Sequence, residues 1–344
     1  MNVLSLFDGM SCGQIALERA GIKVDNYYAS EIDKYAIQIT QKNYPNTIQL
    51  GDVTKWREWD LPKIDLILAG SPCQGFSFAG KQLAFDDPRS KLFFDFVDIK
   101  NDIQEKNPEV KFLLENVKMK QETQQAINKI MNIYPTLINS SLVSAQVRNR
   151  NYWTDISNVA QPNDKKIILG DIIESGFVDR NKSYCLDANY WKGGNLKSYY
   201  DKCRRQQVFE HIGDAPNGKG VYINPKSFPP CAFYETRTEA GKKARREMSR
   251  ELGRDTTPRD AKCKMYLSQP HGKANCIVTV DSFMNYIIDD QWRIRKLTPI
   301  ECERLQTVPD NYTEGVSNSQ RYKMLGNGWT VDVIVHILKG LKET

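Results

Sequence analysis

Cys73 has the setting of a nucleophilic side chain. It lies in the segment AGSPCQGFSFAGK, residues 69–81, directly after a short apolar run at 64–69 that is typical of a buried parallel strand. Open α/β sheets bind ligands outside the carboxyl ends of such strands. Because the thiolate of cysteine is a strong nucleophile, we expect this loop to carry chemistry. A buried structural thiol is the alternative for any single cysteine.

Four further polar residues are expected at the same edge of the sheet. They are Glu115, Asn116, Arg148 and Arg150. The acid and the amide follow a buried strand predicted at 110–114, and the arginines follow one or two strands predicted within 133–146. We expect the strand before the arginines to point the same way as the others, which would bring all four side chains towards Cys73.

Two more acids follow predicted strands. Glu31 comes after a strand at 26–30 and stands 22 residues beyond Gly9, close to the spacing at which an acid receives ribose hydroxyls in dinucleotide folds. Asp52 comes after a short strand at 48–50 and is suited to an adenine amino group. Either acid could instead cap the helix that follows it.

The first strand, predicted at 2–7, leads into a tight turn and then a helix. Glycines in such a turn let the backbone approach a ligand, and the helix N-terminus offers free N–H groups. The turn has Gly9 and Gly13 without the full Gly-x-Gly-x-x-Gly pattern. A ligand without a pyrophosphate therefore fits better.

Composition indicates a globular protein with one large core and a second lobe. The chain has 344 residues, of which 40% are hydrophobic. No run approaches the roughly 18 apolar residues of a membrane span, and we expect a cytoplasmic protein. Eight cysteines without a Cys-x-x-Cys pair, and three histidines without ligand spacing, indicate neither a disulfide framework nor a metal site.

The basic residues are concentrated in the middle of the chain. The formal net charge is +6 overall, but residues 161–275 carry +8 and the remainder −2. Aromatic side chains are interleaved with these lysines and arginines, and residues 237–259 are especially rich in arginine. This pattern favours a lobe that binds a polyanion, with a solvated charged surface as the alternative.

The regular β/α rhythm stops near Ala160 and resumes near Ile294. Thr298 and Glu301 then have the spacing of a capping box, and two more helices are predicted at 317–325 and 330–341. Between those helices lies Leu325-Gly326-Asn327-Gly328-Trp329, a glycine-flanked segment that could close a ligand pocket.

Taken together, these motifs resemble those of the DNA cytosine-5 methyltransferase family. In the family's own order they are FDGMSCG, SEID, GDV, GSPCQGFS, ENV, QVRNR, RKLTPIECERLQTVP and LGNGWTVDVI, which span both ends of the chain. The carboxyl-terminal part, including Trp329, is most similar to the branch that contains the animal de novo methyltransferases.

The resemblance implies a Rossmann-like, doubly wound, mostly parallel α/β sheet that binds S-adenosylmethionine, with a smaller, irregular target recognition domain. The implied limits are 1–158 for the catalytic domain, 159–275 for target recognition, and 276–344 for the closing helices of the catalytic domain. The implied cofactor-binding residues are Phe7, Asp8, Gly9, Gly13, Glu31, Ile32, Asp52, Val53, Pro72, Asn327, Gly328 and Trp329.

The resemblance also implies a covalent mechanism on a flipped-out cytosine. Cys73 would add to carbon 6 of the ring, which makes carbon 5 nucleophilic. Glu115 would donate a proton or hydrogen bond at ring N3, with Asn116 orienting it. Arg148 and Arg150 would stabilise charge near the base carbonyl. A bound water is suggested for removal of the carbon 5 proton.

Double-stranded DNA is the implied substrate, methylated at a specific sequence. The implied DNA-binding residues are Gln74, Ser77, Arg237, Arg245, Arg246 and Arg250. A cognate restriction endonuclease is a further suggested partner, and the enzyme is expected to act as a monomer at the nucleoid of a bacterial or phage setting.

Three other functions are alternatives for this sequence. A nicotinamide-dependent oxidoreductase would use the same first turn, but the glycine pattern is incomplete and no histidine suits hydride transfer. Methylation of transfer RNA belongs to a branch with a Cys-Phe-Thr signature, which this sequence lacks. A DNA-binding protein without activity is disfavoured by Cys73 together with its flanking acids and arginines.

Overall fold

The computed structural model describes residues 1–72, 88–193, 199, 202–211 and 292–342, together with four strands within 234–289. The chain forms two compact units, Met1–Ile167 with Glu303–Thr344 and, separately, Ile168–Cys302. Every helix among the described residues is too short or too polar to cross a membrane.

The first unit is built on a seven-stranded sheet. Its strands are β1 (Asn2–Leu6), β2 (Asn26–Ser30), β3 (Ile48–Gln49), β4 (Leu66–Ala69), β5 (Lys111–Val117), β6 (Thr136–Asn139) and β7 (Asn149–Thr154). Their order is β3-β2-β1-β4-β5-β7-β6. Strands β1 to β5 pair in parallel, and β7 runs antiparallel to both of its neighbours. The predicted fold class, a mostly parallel doubly wound sheet, is confirmed.

The register of the sheet aligns the last residues of β1, β2 and β4 with Leu114 of β5. Leu6 pairs with Ser30 on one side and with Ala69 on the other, and Ala69 pairs with Leu114. The next residues along these strands are Phe7, Glu31, Gly70 and Glu115. Because parallel strands share one direction, these four residues lie at the same edge of the sheet.

The strand predicted before the arginines is β6, and its predicted direction is confirmed, because β5 and β6 both run antiparallel to β7. Arg148 and Arg150 lie at the start of β7, a further strand that was not predicted. An antiparallel strand begins at the edge where parallel strands end, so both arginines still reach that edge. The same pairing extends β5 to Val117, which places Glu115 and Asn116 within the strand.

Four helices flank the strands in the first part of this unit. They are α1 (Cys12–Arg19), α2 (Lys34–Asn43), α3 (Pro88–Lys106) and α4 (Gln121–Met131). The helix α4 was not predicted. Phe93 and Phe96 of α3 are fully buried in one apolar cluster with Leu114 and Trp153, which anchors α3 on the sheet.

Gly13 lets α1 approach the sheet closely. A methyl group at its Cα would lie 2.5 Å from the Oη atom of Tyr27 on β2 and 2.8 Å from Cδ1 of Leu68 on β4. Since real Cβ atoms essentially never come this close to another heavy atom, a side chain here would displace the helix or its neighbours.

The second unit contains a short helix and two antiparallel sheets. The helix is α5 (Leu169–Ile172), and the strands are β8 (Gln207–His211), β9 (Tyr234–Arg237), β10 (Met265–Gln269), β11 (Gly272–Val278), β12 (Tyr286–Asp289) and β13 (Trp292–Lys296). The sheet orders are β11-β10-β9 and β12-β13-β8. Arg295 ties this unit together through ion pairs to Glu210 at 2.6 Å and to Glu301 at 2.7 Å.

The chain returns to the first unit through α6 (Pro299–Leu305), which crosses the boundary between the units, and continues as α7 (Asn318–Asn327) and α8 (Val331–Leu338). The predicted capping box at the start of α6 is confirmed, because Thr298 N donates to Glu301 and Glu301 N donates to Thr298 Oγ1. The helix α7 runs two residues beyond its predicted end at Leu325. Asp332 on α8 pairs with Arg19 of α1 at 2.9 Å.

We expect Gly13→Ala to lower the free energy of unfolding by about 1–3 kcal/mol, the usual cost of overpacking. Urea unfolding measures this difference. Tyr27→Phe removes the hydroxyl that the new methyl would strike, so the double variant should lose less than the sum of the two single variants. Strict additivity would show that the contact with Tyr27 is not the cause.

Candidate active site

A cavity of about 480 Å³ lies at the edge where the parallel strands end. Its lining combines strand ends, the start of α2, and the residues from α7 to Trp329. The predicted site residues that it brings together are Phe7, Asp8, Gly9, Glu31, Ile32, Asp52, Val53, Pro72, Glu115, Asn116, Arg148, Arg150, Asn327, Gly328 and Trp329. Gly13 lies outside this lining, and its contacts are those of helix packing.

Several predicted site residues lie outside the described residues. These are Cys73, Gln74, Ser77, Arg245, Arg246 and Arg250, together with the side chain of Arg237. Pro72, the residue before Cys73 in the sequence, lines the cavity.

The lining also includes residues that the sequence analysis missed. They are Cys12, Ser30, Asp33, Ala36, Gly51, Gly70, Ser71, Leu92, Val117, Lys323 and Met324. Gly326, which was predicted as part of a segment that closes a pocket, lines the cavity as well. Most of the missed residues could have been predicted from their position beside predicted site residues. For example, Gly70 and Ser71 precede Pro72, and Gly51 precedes Asp52. Lys323 had no such signal, and it forms an ion pair of 2.7 Å with Asp33 at the N-terminus of α2.

The carboxylate of Glu31 is held by backbone N–H groups. Its Oε2 accepts a hydrogen bond from Gly9 at 2.8 Å, and its Oε1 accepts from Ile32 and Asp33 at 2.7 Å each. A carboxylate has about four acceptor sites, so Glu31 keeps the capacity to accept from a ligand hydroxyl. Asp33, and not Glu31, caps α2 by accepting from Tyr35. The side chain of Ile32 beside it is 76% exposed.

Asp52 does cap the helix that follows it. It accepts a hydrogen bond of 2.9 Å from the N–H of Thr54, at the start of the 3₁₀ helix Val53–Glu58. Hydrogen bonds from Thr54 lower the pKa of Asp52. Because Asp52 also lines the cavity, the capping and ligand-binding roles are compatible.

The turn after β1 has a strained backbone around a partly buried acid. Phe7 and Gly9 have positive φ angles of 58° and 61°, which a non-glycine residue such as Phe7 rarely adopts. Tyr27 donates a hydrogen bond of 2.8 Å to Oδ1 of Asp8. Burial raises the pKa of Asp8 to about 6, although the hydrogen bond from Tyr27 opposes the shift.

Glu115 and Arg150 form an ion pair within the cavity lining. The Nε atom of Arg150 lies 2.8 Å from Oε1 of Glu115, and both side chains are largely buried. The side chain of Asn116 donates to the carbonyl and hydroxyl oxygens of Ser71, at 3.3 and 3.4 Å. Since Ser71 stands two residues before Cys73 in the sequence, Asn116 ties β5 to the segment that leads to the cysteine.

The residues after α7 form a wall of the cavity. Arg148 donates to the carbonyl oxygens of Gly326 and Gly328, the latter at 2.9 Å. The indole of Trp329 lies against Gly70, where a methyl group would be 3.0 Å from its Nε1 atom. The two predicted arginines thus have different partners, since Arg150 meets an acid and Arg148 meets backbone carbonyls.

Residues 1–343 match the model of the family described as C-5 cytosine-specific DNA methylase, and the chain belongs to that family. The predicted family is therefore confirmed. The family and its fold are those of S-adenosylmethionine-dependent methyltransferases. The closer likeness to the animal de novo branch stays a prediction.

Individual relatives cover essentially the whole chain. The Type II methyltransferase M.NlaIV of Neisseria lactamica is 35% identical, over 99% of this chain and 98% of its own. The orphan methyltransferase M.SPRI of Bacillus phage SPR is 28% identical, over 100% of this chain and 98% of its own. The solved structure of Spodoptera frugiperda DNMT2 has 17% identity and a TM-score of 0.54, covers 99% of each chain, and shares the fold.

We expect Asp8→Asn to change how stability depends on pH. The folded pKa of about 6 exceeds the ordinary value of 3.8, so the folded chain holds a proton between these pH values that the unfolded chain has lost. The free energy of unfolding therefore falls as pH rises from about 4 to 6. The variant lacks this loss and should gain about 2–3 kcal/mol over the natural chain by pH 7, at about 1.4 kcal/mol per pKa unit.

Urea unfolding between pH 4 and 8 measures the effect. Asp52→Asn is the control of opposite sign, because the lowered pKa of Asp52 stabilises the folded chain above its ordinary titration range. A constant difference between Asp8→Asn and the natural chain across this range would contradict the buried titration of Asp8.

Proposed function

We propose that this chain transfers a methyl group to carbon 5 of cytosine in double-stranded DNA by covalent addition of Cys73 to a flipped-out base. The observation that carries the proposal is the Glu115–Arg150 ion pair, which lines one cavity with Glu31 and Pro72. The proposed nucleoside-type ligand site and the ion pair therefore lie in one cavity, next to the segment that leads to Cys73.

Cytosine carbon 5 requires activation before it can accept a methyl group. Addition of the Cys73 thiolate would form an S–C6 bond and shift electron density to carbon 5, while N3 gains a proton or hydrogen bond. After the methyl group is attached, loss of the carbon 5 proton to a base expels the thiolate and restores the ring. The cost of flipping is a few kcal/mol of stacking and pairing.

Glu115 is proposed as the group at ring N3. Its position within β5 and its ion pair with Arg150 fix the carboxyl group in a single orientation. The guanidinium of Arg150 would also stabilise negative charge that develops on the base. Asn116 would help to place the nucleophile, because its hydrogen bonds to Ser71 position the segment that precedes Cys73.

The cavity suits S-adenosylmethionine, which would supply the methyl group when bound there. A volume of about 480 Å³ is typical of a small-molecule site. Glu31 would accept the ribose hydroxyls, Asp52 the adenine amino group, and the exposed Ile32 would pack on the adenine ring. Asp8 would favour the positively charged methionine part, and residues 327–329 would close the opposite wall.

The second unit is proposed to bind DNA. The expected target recognition domain, 159–275, carries the basic excess of the sequence. We propose sequence-specific action by a monomer. A cognate restriction endonuclease is a proposed partner, because a relative that aligns along the whole chain is named a Type II methyltransferase.

Cys73→Ser should abolish methylation, because a hydroxyl is a far weaker nucleophile than a thiolate. Bisulfite sequencing of DNA from cells that express each variant measures the product and its sequence context. Cys185→Ser, at a partly exposed cysteine of the second unit, is the matched control and should retain methylation. Methylation by the Cys73 variant at a tenth of the natural rate or more would refute the covalent role.

Glu115→Gln should lower kcat by about 100-fold or more, the usual contribution of a general acid, while affinity for S-adenosylhomocysteine changes less than about threefold. Tritium transfer gives kcat, and calorimetry gives the affinity. Glu122→Gln, at an exposed acid on α4, is the control that should keep both values. An unchanged kcat in the Glu115 variant would remove the residue from the reaction.

A further inference from the structure

The carbonyl groups at the end of α7 belong to the wall of the cavity and need hydrogen-bond donors. The last carbonyls of a helix have no partner within the helix, and in water they would be solvated. Here Gly326 and Gly328 line the cavity, and Leu325 is fully buried. Their carbonyl oxygens therefore need donors from other parts of the chain.

Two buried side chains supply those donors. The Nε2 atom of Gln306 donates to Leu325 O at 2.6 Å and to Gly328 O at 3.2 Å. The guanidinium of Arg148 donates to Gly328 O at 2.9 Å and to Gly326 O at 3.4 Å. A cation at a helix C-terminus also interacts favourably with the helix dipole.

The carboxamide of Gln306 is fixed in one orientation. Its Oε1 atom accepts hydrogen bonds from Gln146 Nε2 at 3.2 Å and from Thr330 Oγ1 at 3.0 Å. Because that oxygen already faces two donors, the Nε2 end must face the carbonyls. Gln306 and Gln146 are fully buried, and Thr330 and Arg148 are almost fully buried.

We infer that Arg148 and Gln306 are positioning residues that hold the Leu325–Gly328 wall in the shape that binds S-adenosylmethionine. Their effect passes along the chain to Trp329, whose indole lies against Gly70 at the end of β4. Arg148 thus acts on the cofactor through the wall, whereas Arg150 is the arginine that contacts the cytosine base. The inference rests on the proposed function, because it assigns a role to the wall of the same cavity.

The test measures binding of S-adenosylhomocysteine to the full chain by calorimetry. Gln306→Glu keeps the shape of the side chain but turns a carboxylate oxygen towards two carbonyl oxygens, and it should weaken binding about 10- to 100-fold. Arg148→Lys keeps the charge but has no planar fork to reach two carbonyls, and it should weaken binding about 3- to 10-fold. The KM for S-adenosylmethionine should rise in both variants more than kcat falls.

Gln161→Glu is the matched control. Gln161 is exposed and donates a comparable bond of 2.8 Å to the carbonyl of Leu137, away from the cavity, so its variant should bind S-adenosylhomocysteine normally. Thermal unfolding without ligand identifies any variant that fails to fold. If Gln306→Glu does fail, Thr330→Val tests the same network, because it removes one bond that fixes the carboxamide and should weaken binding two- to fivefold.

Normal affinity of Arg148→Lys and of a folded Gln306→Glu or Thr330→Val variant would overturn the inference. If Arg148→Lys binds S-adenosylhomocysteine normally but loses methylation, Arg148 acts on the cytosine base and not on the cavity wall. Failure of the natural chain to bind S-adenosylhomocysteine would instead refute the proposed function.

Discussion

The site depends on the register that places the last residues of β1, β2 and β4 in one row with Leu114 of β5. Since Leu6, Ser30, Ala69 and Leu114 are aligned by backbone hydrogen bonds, the residues that follow them share an edge without any side-chain contact to bring them together. A shift of two residues in one strand would move its functional side chain by roughly 6–7 Å, at about 3.3 Å per residue. That distance exceeds the reach of a hydrogen bond, so the register itself is the main specification of the site.

The other half of the cavity comes from a distant part of the sequence, and polar contacts fasten it. Tyr312 donates to Met10 O at 2.7 Å, and Asn43 donates to Tyr312 O at 3.1 Å. Arg321 pairs with the fully buried Glu303 at 2.9 Å, and Glu303 also accepts from two backbone N–H groups. Directional hydrogen bonds and ion pairs of this kind fix the position of this part of the chain more narrowly than apolar packing alone. The wall around Gly328 is also held by directional hydrogen bonds, from Arg148 and Gln306.

Local signals allowed much of this arrangement to be predicted. Glu31, Asp52 and Glu115 were identified because each follows an apolar run, and the sheet then places them by its regular geometry. The direction of β7 and the partners of Arg148 could not be predicted, because they depend on pairings with residues far away in the sequence, such as Gly328. The helix α4 was missed because few of its residues are apolar, although Thr123, Ile127 and Met131 recur at helical spacing on its buried face. The roles assigned to individual site residues stay predictions.

The split of the first unit into two stretches of sequence has a consequence for its synthesis. Helix α8 packs against α1 and buries Val331, Ile334 and Ile337. All the residues between α1 and α8, including 168–302, are made before α8, so the face of α1 that contacts α8 stays uncovered for roughly 15–60 s at about 5–20 residues per second. The unit therefore completes its fold only after nearly the whole chain has been translated.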